Sequence, residues 1–299
     1  MAQDRFGRAI DRGLQFLAAS QRPNGEFPTY WSRTVTMDRP TAVASPFVTG
    51  MVLLALRDVS ETEAIRERGL AHLRSWRRPD GTFAFFSAGI DPDLDDTCLL
   101  NWLLLQQEPK AFQYDALARC ILALQRPDGL FPTWIRTDPM LPNPVDPCVN
   151  VNVLRFLDAC GLPAPRLVAA LQGELGTRPC GGTTYYHPHW SLIYLASSLP
   201  HPLRTAVLGA APPALSGSGT NEQRPHDPLE SALRLGVVAE TRGDAAVGRR
   251  LATELLLFQR RSGTWPASAM FQAFNYWGSP ELSTAIALAA ITAFQRASP

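Results

Sequence analysis

A short phrase recurs along the chain and constrains its architecture more than any other feature. Gln21-Arg22-Pro23-Asn24-Gly25-Glu26-Phe27-Pro28 returns as Gln125-Arg126-Pro127-Asp128-Gly129-Leu130-Phe131-Pro132, and again as Gln259-Arg260-Arg261-Ser262-Gly263-Thr264-Trp265-Pro266. A degraded copy, Arg77 to Phe83, carries Arg where Gln is expected, and a weaker one lies at Arg178-Pro179-Cys180-Gly181-Gly182. The glycines fall at 25, 81, 129, 182 and 263, in steps of 56, 48, 53 and 81, and the last step is long enough to hide a unit whose signature is lost. Self-similarity at this period marks a stack of supersecondary units.

Each copy follows the same physics. A helix with apolar residues at helical spacing precedes it, as Phe6, Ile10, Leu14 and Leu17 do for the first. Pro then cannot continue the helix, and Gly accepts the positive φ that ends it. A loop and a second, more apolar helix follow. The pattern predicts six hairpins, with outer helices starting near residues 5, 62, 112, 164, 202 and 244. Inner helices are expected near 46–57, 95–107, 147–159, 188–199, 228–239 and 281–296. The fifth pair is the least regular, because Leu203–Leu215 is short and Pro-rich. No stretch alternates in the manner of a strand. The expectation is an all-α (α/α)6 barrel, one domain over 1–299, whose inner helices ring a cavity and present their N-termini at one end.

Hydrophobic residues make up 45% of the 299 and charged residues 18%, enough for a large core. A net charge of +1 gives no electrostatic reason to expect nucleic acid or an acidic partner. Five Cys, at 98, 120, 148, 160 and 180, are an odd number set mostly in apolar stretches, which reads as buried thiols in a reducing cytosol. The first residues mix charges through an amphipathic helix without a signal-type apolar core, and no window holds 18 uninterrupted apolar residues. The location expected is cytoplasmic.

Chemistry concentrates between Asp91 and Gln106. Asp93, Asp95 and Asp96 crowd together just before an apolar helix, with Asp91 upstream and Thr97 behind. Caps would need one or two of these carboxylates. Three beside a buried helix set like charges where solvent is scarce, which pushes at least one pKa up and leaves a protonated acid near neutral pH.

The phrase Asp93-Leu94-Asp95-Asp96-Thr97 resembles the DxDD(T) motif of class II terpene cyclases, the squalene–hopene cyclase-like enzymes. Arg12-Gly13 followed by Phe16-Leu17, Gln21, Gly25 and Phe27 resembles their QW motif, complete in its Gln…Gly…Trp form at Gln259, Gly263 and Trp265. Repeat and motif together span the chain, which looks like a single-domain member that cyclises prenylated aromatic precursors. That resemblance implies that Asp95 is the general acid for a terminal alkene, helped by Asp93 and Asp96. It also implies an isoprenoid substrate and no cofactor for the protonation. Where relatives carry a His that bonds the acid, alignment puts Asn152, which donates but carries no charge.

A carbocation needs a dry, aromatic-lined pocket. The expected lining is Phe85, Tyr185 and Tyr186, with Trp31, Trp134, Trp190 and Trp277 also in loops that lead into inner helices. His187, His189, His226, Glu230 and Glu281 lie near inner-helix starts and read as caps or supporting groups. A rival site is zinc, since Asp146, Cys148 and His187 or His189 resemble the ligand set of protein prenyltransferase β-subunits. Another reading is a toroid that binds isoprenoid without catalysis. The absence of an acidic Mg²⁺ motif favours a substrate without diphosphate, although Arg33, Arg39 and Arg136 sit in loops that could meet one. The apolar, Pro-broken run from Leu192 to Leu215 reads either as a buried hairpin or as a lip for peripheral membrane contact, and Ser216–Asn221 as a lid.

Overall fold

The computed structural model describes residues 2–136, 138, 140–178, 183–209 and 227–297, with side chains from residue 5 onward. Helices α1 (Ala2–Ser20) and α2 (Pro46–Leu56) form the first hairpin, and α3 (Glu63–Trp76) with α4 (Leu94–Gln107) the second. Then come α5 (Tyr114–Leu122) with α6 (Pro147–Ala159), α7 (Pro165–Thr177) with α8 (Ser191–Ser197), α9 (His201–Leu208) with α10 (Pro228–Glu240), and α11 (Ala245–Phe258) with α12 (Pro280–Ala297). Helix α2 packs on α4, α4 on α6, α6 on α8, α8 on α10, α10 on α12, and α12 returns to α2. The inner helices therefore close a ring, and the fold is the expected all-α toroid.

The repeated phrase fastens that ring. Gly25, Gly81, Gly129 and Gly263 all take φ between +85° and +90°, a conformation that side chains resist. A Cβ at Gly25 would lie 2.0 Å from the Arg68 carbonyl oxygen, and one at Gly263 would lie 2.2 Å from that of Arg12. Each loop thus presses its backbone onto the next outer helix. The glutamines do the stitching: Gln21 Nε2 donates to the carbonyls of Gly25 and Ile65, and Gln259 Nε2 to those of Gly263 and Ala9. Where Arg77 replaces Gln, its guanidinium stacks 4.5 Å from the Phe112 ring centroid instead. The aromatic residue of each copy is buried, and its N–H donates to an inner helix: Phe27 to Thr49, Phe83 to Thr97, Phe131 to Asn150, Trp265 to Thr284. The copy around Cys180 lies outside the described residues, apart from Arg178.

Inner helices also start alike. Ser45, Asp93, Asp146 and Asp227 cap α2, α4, α6 and α10, each accepting a backbone N–H from the first turn. Pro follows the cap in α2, α6 and α10.

One expectation needs correction. Strands do occur: β1 (Thr29–Ser32), β2 (Thr41–Val43), β3 (Phe271–Gln272) and β4 (Tyr276–Gly278) form an antiparallel sheet in the order β2-β1-β4-β3. They are too short to show a period of two, and β1 finds its partner β4 at the far end of the chain, Trp31 opposite Trp277. The apolar run from Leu192 takes the buried-hairpin reading over α8, where Leu192, Ile193, Leu195 and Ala196 are buried core, while Ala206 on α9 is exposed. Pro212–Leu215, the Ser216–Asn221 loop and His226 lie outside the described residues. Among the described residues no helix is long and apolar enough to cross a membrane. Cys98 and Cys148 are buried as expected, whereas Cys120 is exposed on α5; Cys180 is outside the described residues.

Candidate active site

Asp93 to Asp96 form the amino end of α4, and local bonds explain why. Asp93 is in extended backbone and its Oδ1 accepts the Asp96 N–H at 2.8 Å, so this carboxylate is the helix cap. The approach is held by short bridges: Asp93 N–H to Phe83 O, Leu94 N–H to Thr133 O, and Ile135 N–H to Pro92 O. With the cap fixed, Asp95 points into the ring. It is only 7% exposed. Asn152 Nδ2 donates to its Oδ1 at 2.7 Å, and the Tyr186 hydroxyl to its Oδ2 at 2.8 Å. Both donors are fully buried and neutral.

These surroundings favour the protonated acid. Burial lifts the Asp95 pKa to about 8, assisted by the nearby Asp93 charge and opposed by the two donated bonds. Burial also lifts Asp93, to about 6, and Asp96 well above the usual carboxylate range. Asp96, held as an acid, is placed to donate to Asp93, while its Oδ1 has no partner among the described residues. The Tyr186 phenol is pushed up by burial and by Asp95, so it stays a donor.

An aromatic layer covers this end of the ring. Tyr186 meets Phe271 edge to face at 5.2 Å, and Phe271 meets Phe47 at 5.1 Å. Phe85 touches Phe47, Phe86, Phe271 and Trp277. Trp277 lies opposite Trp31 in the sheet, and Trp134 donates its indole N–H to the Tyr185 hydroxyl at 3.0 Å. Of the expected lining residues, Tyr186 bonds the acid, Phe85 joins it through Phe271 and Trp277 through Phe85, Trp31 lies opposite Trp277, and Trp134, bridged to Asp93, pairs with Tyr185. Trp190 belongs to a different contact, its ring under the Arg234 guanidinium at 5.4 Å. These rings pack on one another, and the two cavities described below open at the other end of the toroid. Tyr186 was expected only as lining; it bonds the acid itself.

Phe47 was missed. It is the second residue of α2, the position that Asp95 occupies on α4, and aligning the capped helix starts would have found it. The zinc set does not assemble. Asp146 caps α6 by accepting from Cys148 N–H and also binds Tyr185 N–H, while His187 Nδ1 pairs with Gln272 Oε1. Among the described residues no three His, Cys, Asp or Glu side chains converge where a metal could be held. Glu230 accepts from His189 N–H, a cap-like contact. Of the loop arginines, Arg136 is engaged by Asp91 at 2.7 Å and stacks on Trp134, while Arg33 and Arg39 are exposed.

No family model matches the chain. Among curated proteins it is similar to a drimenyl diphosphate synthase from Streptomyces showdoensis, 32% identical over 131 residues. That match spans 43% of this chain and 22% of the relative's length. In fold it resembles the type II terpene cyclase MstE from Scytonema in complex with geranylgeranyl dihydroxybenzoate, its substrate. The TM-score is 0.73 at 16% identity, with 98% of each chain covered. The ent-copalyl diphosphate synthase from Streptomyces platensis aligns at TM-score 0.57 and 17% identity, covering 84% of this chain and 50% of that one. The chain has the fold of these terpene cyclases.

Proposed function

We propose that this protein is a class II terpene cyclase, an isomerase in which Asp95 protonates the terminal alkene, or an epoxide, of a linear isoprenoid. One observation carries the reading: a buried carboxyl, uncharged near neutral pH, is gripped on both oxygens by neutral donors beneath a layer of aromatic rings. The DxDD-like phrase, the QW-like repeat and the likeness to terpene cyclases support it. The reaction is assigned to one α/α-barrel domain over 1–299.

In the proposed step the Asp95 hydroxyl proton passes to the less substituted alkene carbon, leaving a tertiary cation. Internal double bonds attack in turn, and loss of one proton restores neutrality, so the product is an isomer of the substrate. Asn152 and Tyr186 bond the carboxylate left behind, and bonds to a charged acceptor are stronger than those to the neutral acid. Phe85, Tyr185 and Trp277, with Trp31 and Trp134 behind them, would shield the cation and offer it π-faces once the layer parts around a substrate. Asp93 and Asp96 hold the helix start and the proton balance. A prenylated aromatic head group is the preferred reading, after the MstE likeness. The drimenyl diphosphate synthase match makes a diphosphate the competitor to test. Exposed Phe274 in the β3–β4 turn and Met140-Leu141 in the loop before α6 would give peripheral contact with a membrane from which a lipid-like substrate is drawn.

Purified protein incubated with farnesyl- and geranylgeranyl-bearing aromatics, and separately with the free prenyl diphosphates, should yield cyclised isomers from at least one. Equal product from Asp95→Asn would remove Asp95 as the acid. Release of inorganic diphosphate with transfer of the prenyl group would sink the cyclase reading altogether.

A further inference from the structure

The opposite end of the toroid is built differently. Where the carboxyl ends of α2, α8, α10 and α12 converge, the ring opens into a cavity of about 280 Å³. Leu54, Ala55 and Tyr194 give it an apolar wall beside Ser197, Ser198 and Thr292, and Ala289 and Ala293 supply only short side chains to it. Its rim carries Arg57, Arg204, Arg242 and Arg296 against Asp58 and Glu240, a surplus of two positive charges. Arg204 pairs with Glu240 at 2.5 Å and Arg57 with Asp58 at 2.9 Å, so the surplus charge falls on Arg242 and on Arg296, which also donates to the Asp58 carbonyl. A second cavity of about 230 Å³, between α2, α3 and α4, shares Arg57 and Asp58 as its wall.

A fifth guanidinium lies behind the first cavity. Arg155 is 1% exposed and has no ion pair among the described residues. It donates to the Ser198 hydroxyl at 2.7 Å and to the carbonyls of Ser198 and Leu195, and Ser198 lines the cavity. Its Nε has no partner among the described residues, and burial with the neighbouring Arg57 charge lowers its pKa to about 9. Helix dipoles account for arginines at carboxyl ends. They account neither for a hollow under those arginines nor for a buried guanidinium that stacks 5.0 Å over the Trp102 ring and has no carboxylate partner among the described residues, an arrangement costly to desolvate.

We propose that this cavity binds an amphipathic anion, an apolar chain ending in a phosphate or carboxylate, with the chain against Leu54, Ala55 and Tyr194 and the head group among Arg57, Arg242 and Arg296. The assignment stands on the carboxyl-end residues alone and does not need the acid at the other end.

Dodecyl phosphate, dodecanol and inorganic phosphate, titrated calorimetrically below the micelle threshold, test it. Dodecyl phosphate should bind with an affinity that falls as salt rises, at least tenfold tighter than either dodecanol or inorganic phosphate. Removing Arg242 and Arg296 together as Gln should weaken it by tenfold or more, since each charge-assisted bond is worth about that factor. Ala293→Leu, which fills the hollow, should weaken dodecyl phosphate and leave inorganic phosphate unchanged. Both variants should melt as the parent does, because Arg242 and Arg296 are exposed and the Leu side chain enters open space. Binding should persist in Asp95→Asn, so the outcome is separate from that of the cyclase assay. The proposal fails if dodecanol binds as tightly as its phosphate ester or if the arginine variants change nothing. It fails equally if Ala293→Leu leaves dodecyl phosphate binding intact, which would mark an adventitious ion only.

Discussion

The two ends of the inner ring use the same helices for opposite purposes. At the amino end three carboxyl groups and a layer of aromatic rings are packed shut around Asp95. At the carboxyl end small residues leave a hollow and arginines surround it. Helix dipoles predict which sign goes where, acids at the amino ends and cations at the carboxyl ends. They do not predict the charge state. A helix start should lower a carboxylate pKa, yet Asp95 rises to about 8 because burial outweighs the dipole. At the far end Arg242 and Arg296 are exposed. The dipole chooses the residue; desolvation decides whether it is an acid or an ion.

The largest effect should follow from erasing the acid. Asp95→Asn keeps the shape and both neighbours but removes the transferable proton, and cyclised product measured by mass spectrometry should fall by about 10³-fold. The same change should help the fold in base. A carboxyl whose pKa is raised from its ordinary value to about 8 contributes stability that is complete below pH 4 and lost as pH rises through 8. The parent should therefore lose up to about 1.4 kcal/mol per pH unit from this group across that window, and Asp95→Asn should not. Urea midpoints at pH 5, 7 and 9 give the slopes; parallel slopes would mean that Asp95 is charged in the folded protein.

Next in size is the fastening of the two ends. Gly263 (φ +90°) lies in a loop at the amino end, where a Cβ would strike the Arg12 carbonyl at 2.2 Å; Gly161 (φ +70°) follows α6 at the carboxyl end and has open space around it. Gly161→Ala should cost about 1 kcal/mol, the strain of a left-handed backbone. Gly263→Ala adds a clash that the backbone must move to relieve, and should cost about 3 kcal/mol or more. Equal losses in the denaturation midpoint would mean that the loop does not clamp the neighbouring helix.

The end that was legible in the sequence is the one with repeated chemistry. Helix periodicity, Pro-Asn/Asp-Gly breaks and the cap before each inner helix are local signals, and they located the hairpins and the Asp93-Asp95-Asp96 cluster to within a few residues. Asn152 came from the resemblance, at the position where relatives carry a His, and its amide donates to Asp95. Tyr186 bonding the same carboxylate was not legible, because that contact joins residues 91 apart through a loop whose path only the closed ring defines. The sheet was hidden for the same reason, since β1 meets β4 across nearly the whole chain. The carboxyl-end cavity left no motif at all: its lining comes from five helix ends and loops far apart in sequence.

Smallest, and most telling about the amino end, is the loss of one donor. The Tyr186 hydroxyl stabilises the charged form of Asp95 more than the neutral form, so its bond holds the acid's pKa down. Removing it in Tyr186→Phe should move the pKa upward. Because the protonated acid is the active form, turnover should be flat below about pH 8 and fall tenfold per unit above it, and the variant's falling limb should lie at higher pH than the parent's. Its plateau should nonetheless drop about tenfold, since the same bond stabilises the carboxylate that forms as the proton leaves. Asn152→Leu should act in the same two directions on the other oxygen. A plateau loss without displacement of the limb would assign both side chains to packing alone, and a limb displaced toward lower pH would mean that they favour the neutral acid.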